Sequence, residues 1–193
     1  MIVEKQAANG DRRIHVVQGE HHVSSDPHVV LTTILGSCVA VCLRDKVSGI
    51  GGMNHFLLPD TGSDSGGASD SGRYGNVAMD LLIGEMVKRG ATRSTMEAKV
   101  FGGGAVISGM NTINVGERNT AFVLDYLRTE RITVVSKDVL DIYPRKVCFL
   151  PASGKAMVKR LATANTEALA AQERAAATRA AQITAGGGTV DLF

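Results

Sequence analysis

The chain has 193 residues, 44% of them hydrophobic, which suffices for one domain with a sizeable core; aromatics are only 4% and Trp is absent, so that core must be aliphatic. A net charge of +2 lacks the clustered basic face that nucleic-acid binding needs, and no apolar run approaches the roughly 20 residues of a membrane span. Three cysteines without a CxxC pair argue against a disulfide framework or structural zinc, and the polar start MIVEKQAANGDRR lacks a signal peptide's apolar stretch, so a soluble, reduced, cytoplasmic protein is expected.

Residues 1–13 are polar and read as a flexible N-terminus. RIHVVQGEHHVS has the β-branched content of a strand, and VVLTTIL is a second strand-like run ending at Gly36. Val39, Val41 and Leu43 then alternate with Ala40 and Cys42, the period of a strand, although so short a run also fits a buried helical turn. RDKVSG is a turn, and IGGMNHFLLP leaves it as a further strand that stops at Pro59. DTGSDSGGASDSGRYG is a Gly, Ser and Asp loop with no core-forming side chain, and mobility is expected from Asp60 to Gly72. NVAMDLLIGEMVKRG spaces Val77, Leu81, Leu82, Met86 and Val87 as a helix, with Asn76 as N-cap and Gly90 as the left-handed residue after its end. MEAKVFGGGAV is a strand entering a glycine turn, ERNTAFVLDYLRTER a helix, and ITVVSKDV and RKVCFLP strands. From Ser153 the chain favours helix but offers mostly Ala for packing, so residues 156–193 are expected to form an Ala-rich helical extension and flexible tail outside a domain at 14–155. Strands outnumber helices without alternating with them, which predicts a mixed α/β (α+β) layered domain.

The candidate chemistry centres on LGSCVAVCLRD. A thiol at the end of the Gly36-Ser37 turn can act as a nucleophile if an imidazole lowers its pKa, with the backbone N–H groups of Ser37 and Cys38 as candidate oxyanion donors. A hairpin through RDKVSG would return His55 toward Cys38, which singles out His55 among five histidines. The plain alternatives stand beside this: Cys38 as a small buried hydrophobe and His55 as a structural histidine. Thr32 can orient the imidazole through its hydroxyl, or it is merely a β-branched strand residue. Cys42 and Cys148, inside strand-like runs, read as core. FGGGAVISG lacks the Lys-Ser/Thr of a phosphate loop and reads as a turn that needs close backbone approach. His21, His22 and His28 lack a carboxylate or thiol at convincing spacing, so neither metal nor cofactor is expected.

LGSCVAVCLRD followed by IGGMNHFLLP, with RYGNVAMDLLI, KVFGGGA and VGERN after it, resembles the CheD family of chemoreceptor glutamine deamidases, over about residues 14–155. The resemblance implies a Cys-His-Thr triad falling on Cys38, His55 and Thr32. It also implies a β-sandwich with helices outside, similar to the catalytic domain of deamidating toxins. Its expected substrates are glutamines on the cytoplasmic coiled coil of methyl-accepting receptors, with a CheC-type phosphatase as a possible partner. DVLDIYPRKVCF departs from the family, with Tyr143 and Pro144 where a glycine pair is usual. A thiol amidase with another substrate, or a module that chiefly binds a CheC-type phosphatase, are the alternative functions. The terminal TVDLF after Gly186-Gly187-Gly188 reads as a frayed end or a short docking anchor.

Overall fold

The computed structural model describes residues 3–6, 10–58, 70–105, 115–162, 171 and 175. Its strands are β1 (Val3–Gln6), β2 (Arg12–His15), β3 (His21–Ser24), β4 (Val29–Leu35), β5 (Val39–Asp45), β6 (Gly51–Phe56), β7 (Met96–Gly102), β8 (Thr133–Val139), β9 (Arg145–Leu150) and β10 (Lys155–Arg160). The helices are α1 (Asp70–Lys88) and α2 (Val115–Thr129). One five-stranded sheet runs β1-β2-β4-β9-β10 and the other β3-β6-β5-β7-β8. Helix α1 packs on β3 and β6, and α2 on β5, β7 and β8, so both helices cover the second sheet. The layers are sheet, sheet, helices: the expected sandwich with helices outside, α1 and α2 both on one side.

Two aliphatic cores follow from this stacking. Leu31, Leu35, Ala40, Cys42, Met53 and Phe149 fill the space between the sheets, while Val41, Leu43, Met79, Leu82, Ile83 and Leu127 fill the space under the helices. Each fully buried Leu or Met contributes about 2 kcal/mol relative to exposure. Strand β5 sits in the middle layer and is buried on both faces. That is why Val39–Leu43 is apolar at every position: odd residues face the helices and even residues face the other sheet.

The structure departs from the sequence expectations at four places. RIHVVQGEHHVS is two strands in different sheets, β2 and β3, joined by a crossing at residues 16–20. Residues Val3–Gln6, expected to be loose, pair antiparallel with β2. Helix α1 starts at Asp70 rather than at an Asn76 cap, so the polar RYG stretch is helical; the expected C-terminal signal holds, with Gly90 at φ 105° and Ala91 N–H bonded to the Met86 carbonyl. Lys155–Arg160, at the start of the expected helical extension, is instead β10, paired residue by residue with β9, whereas Ala171 and Ala175 farther along are helical. Ladder hydrogen bonds with a neighbouring strand outweigh a helix propensity worth only tenths of a kcal/mol per residue. Of the stretch expected to be mobile from Asp60 to Gly72, Asp70–Gly72 opens α1, whereas residues 60–69 and the terminal TVDLF lie outside the described residues.

The β5–β6 turn is held by Asp45, whose carboxylate accepts from Val47 N, Ser48 Oγ, Thr92 N and Thr95 Oγ1 at 2.6–3.0 Å. Burial by itself raises the Asp45 pKa, but these bonds, led by the Thr95 hydroxyl, outweigh it and hold the carboxyl well below its usual range. A carboxyl depressed below its unfolded value of about 3.9 binds fewer protons folded than unfolded. Its stabilisation is therefore complete above that pH and lost as acid protonates it. Asp45→Asn should lower stability at pH 7 and flatten the loss between about pH 5 and pH 2, measured by denaturant titration at a series of pH values. A wild-type acid limb retained in the variant would assign that limb to other carboxylates.

Candidate active site

The β5–β6 hairpin brings Cys38 and His55 together. The two strands pair antiparallel with Ala40 opposite His55 and Val39 opposite Phe56. Cys38 is one step beyond Val39, so it is the diagonal neighbour of His55 on the face turned toward the first sheet. Diagonal cross-strand positions lie about 7 Å apart, within reach of an imidazole and a thiol. Cys38 is fully buried and His55 nearly so, at 7% exposure.

The hydroxyl beside the His55 imidazole belongs to Thr33, not to Thr32. Thr33 Oγ1 lies 2.8 Å from His55 Nδ1 and 2.8 Å from the Val16 carbonyl, whereas Thr32 Oγ1 lies 3.5 Å from His15 Nδ1. The reason is strand alternation. Leu31, Thr33 and Leu35 share the face of β4 that packs on the second sheet, and Thr32 and Ile34 take the outer face. Thr32 is paired with His15 on parallel β2 and with Cys148 on β9, away from Cys38.

This network also selects the histidine tautomer. The Val16 carbonyl can only accept, and Thr33 Oγ1 is 2.8 Å from it, so the single hydroxyl proton of Thr33 goes to Val16. Thr33 Oγ1 must then accept from His55 Nδ1–H, with Val16 O also 3.3 Å from Nδ1. The proton sits on Nδ1, and the Nε2 lone pair is the basic one.

The turn carrying Cys38 is clamped from the side of β7 and α2. Gly104 N–H bonds to the Gly36 carbonyl at 2.7 Å and Gly103 N–H to the Cys38 carbonyl at 2.8 Å. A Cβ at Gly102 (φ 108°) would sit 2.2 Å from the Cys38 carbonyl oxygen, so FGGG is the close-approach turn read from the sequence. Buried Asn119, on α2, donates Nδ2–H to the Ser37 carbonyl at 2.9 Å and accepts from Leu58 N–H at 3.0 Å. It ties the turn before the thiol to the chain just after His55. The sequence reading missed Thr33 and Asn119; strict two-residue alternation counted from Leu31 and Leu35 would have found Thr33.

The divergent DVLDIYPRK stretch braces the glycine turn. Leu140 N–H bonds to the Gly102 carbonyl and Ala105 N–H to the Asp141 carbonyl, with Leu140 and Asp141 at φ 63° and 71°. Fully buried Arg145 holds this stretch through Asp138 Oδ1 (2.7 Å), the Tyr143 carbonyl (3.1 Å) and the Leu140 carbonyl. Arg145→Ala should destabilise the protein by about 3 kcal/mol, because it opens a cavity where the fully buried side chain sat and removes the donor from three part-buried acceptors. Lys should restore little, since one ammonium cannot reach three separate acceptors. Thermal denaturation of the two variants checks this, and a near-wild-type Lys variant would contradict it.

The remaining thiols differ. Burial pushes the Cys42 pKa far up, with Lys99 only partly opposing, so it is inert. Cys148 is partly exposed and Cys38 is enclosed. Preferential alkylation of Cys38 would therefore report thiolate character rather than access.

The family model for CheD chemotactic sensory transduction matches residues 57–160, just over half of the chain. The chain belongs to the CheD family. That match starts two residues after His55, but relatives named "Probable chemoreceptor glutamine deamidase CheD" extend across the whole domain. The CheD 1 protein of Albidiferax ferrireducens is 55% identical over 180 residues, covering 93% of this chain and 75% of that one. The Thiobacillus denitrificans CheD is 50% identical over 179 residues, covering 92% and 88%. A solved structure of the Bacillus licheniformis hypothetical protein YfiH aligns with TM-score 0.39 and 12% identity over 63% of this CheD chain and 49% of that one. So distant a likeness carries no argument. Among the described residues of this CheD chain, no helix is long and apolar enough to cross a membrane.

Proposed function

We propose that this protein hydrolyses the side-chain carboxamide of glutamines on chemoreceptors, leaving glutamate and ammonia, with Cys38 as nucleophile, His55 as base and Thr33 as the residue that orients it. The observation that carries this reading is the Thr33–His55 hydrogen bond on the strand facing Cys38. His55 Nε2 takes the thiol proton, and the sulfur adds to the glutamine Cδ. The backbone N–H groups of Ser37 and Cys38 hold the oxyanion, in a turn whose carbonyls are already engaged by Gly103, Gly104 and Asn119. The imidazolium gives its proton to the departing ammonia, and His55 then activates water against the thioester. The receptor as substrate follows the names of the relatives, and its cytoplasmic coiled coil would place the enzyme in the cytoplasm.

The test is intact-mass analysis of receptor cytoplasmic fragments after incubation. A gain of ~1 Da per modified glutamine with release of ammonia is expected, the mass consequence of an amide becoming an acid through an acyl-enzyme. No gain, or an equal gain with Cys38→Ala, would overturn the reading.

A further inference from the structure

The crossing between β2 and β3 brings a fourth functional side chain to Cys38. Cys38 Sγ donates to Gln18 Oε1 at 3.3 Å. The crossing itself is pinned to the backbone around the site. Val16 N–H bonds to the Thr32 carbonyl, Gly19 N–H to the His55 carbonyl at 2.7 Å, and His55 N–H to the Glu20 carbonyl at 3.1 Å. One short segment thus presents a carbonyl to the imidazole, through Val16, and a carboxamide to the thiol, through Gln18. Tyr74, on α1, closes the same corner. Its hydroxyl lies 3.7 Å from where a Cβ on Gly19 would stand, and burial and the charge at Cys38 both raise its pKa.

A carboxamide suits a group that changes from donor to acceptor. Its oxygen accepts from a protonated thiol, and a half-turn of the same side chain presents two N–H donors. Once the thiol proton has moved to His55, sulfur is an anion, and a hydrogen bond to a charged acceptor is among the stronger ones. We propose that Gln18 is a further catalytic residue: its carboxamide accepts from the Cys38 thiol at rest and donates Nε2–H to the sulfur anion after the proton has passed to His55. No bond to Gln18 forms or breaks. The proposal rests on Cys38 being the nucleophile, and its test is separate from receptor deamidation.

The experiment measures the rate of Cys38 alkylation by iodoacetamide against pH, by peptide mapping, in a Cys148→Ser background with buried Cys42 as internal reference. The titratable groups around the thiol are His55 on β6 and Tyr74 on α1, with Glu20 farther along the crossing, and all are kept. Gln18→Met retains length without a donor, and Gln18→Glu retains shape but sets a carboxylate against the sulfur. Alkylation near neutral pH should slow about tenfold in Gln18→Met and further in Gln18→Glu, with the midpoint of each profile moved to higher pH. Profiles that coincide with the parent, or a faster Gln18→Met, would overturn the role of Gln18 while leaving the nucleophile in place. A parent Cys38 that stays unlabelled at every pH would overturn the nucleophile and this proposal together.

Discussion

His55→Ala should lower the rate of glutamine deamidation by about three orders of magnitude, since the members of such a unit act together and losing one removes most of the rate. The fold should survive, because Thr33 keeps its own bond to the Val16 carbonyl and the backbone bonds of His55 to Gly19 and Glu20 remain. The two neighbouring threonines then separate geometry from motif position. Thr33→Val removes the acceptor for Nδ1–H, but the Val16 carbonyl, 3.3 Å away, takes over part of its task. The expected loss is about tenfold, one neutral hydrogen bond of roughly 1.4 kcal/mol. Thr32→Val, buried on the face of β4 turned away from Cys38, should leave the rate within about twofold, because its hydroxyl lies beside His15 rather than His55. Single-turnover rates on a receptor fragment, with circular dichroism as the control for folding, decide the matter. A larger loss for Thr32→Val than for Thr33→Val would reverse the assignment and return the orienting role to the residue that the family motif suggests.

The second large effect is expected at Gly102. The added methyl of Gly102→Ala meets the Cys38 carbonyl oxygen at 2.2 Å, and φ of 108° disfavours any side chain there. The contact is with backbone, so no rotamer change relieves it. Either β7 or the Cys38 turn must move, and an error near 1 Å at a reacting group costs about a hundredfold in rate. Gly84→Ala is the matched control. A Cβ there meets nothing within 4 Å, and the position is inside α1, where Ala is favoured over Gly by about 1 kcal/mol. It should keep full activity and raise the melting temperature slightly. Full activity in Gly102→Ala would show that the glycine turn does not set the position of the thiol.

Most elements were legible from local pattern, because strand and helix periodicity and turn residues are properties of neighbouring positions. VVLTTIL, MEAKVFG and the Gly90 stop stand where the sequence puts them, α2 lies within two residues of its expected place, and α1 ends as expected but starts early, at Asp70. The pairing of Cys38 with His55 was also legible, since a hairpin with a short polar turn leaves few registers for the strands on either side. What the sequence left undecided were choices between faces and partners. Thr32 and Thr33 are chemically identical neighbours, and only the packing of β4 on the second sheet decides that Thr33 meets the imidazole. Residues 155–160 carry helix-forming residues, and only an open edge on β9 makes them a strand. Asn119 on α2 reaches a turn 82 positions earlier in the chain, a contact that no periodicity encodes. Local preferences are worth tenths of a kcal/mol per residue, whereas a completed ladder or a buried hydrogen bond is worth about 1 kcal/mol or more. Where the two disagree, the long-range contact prevails.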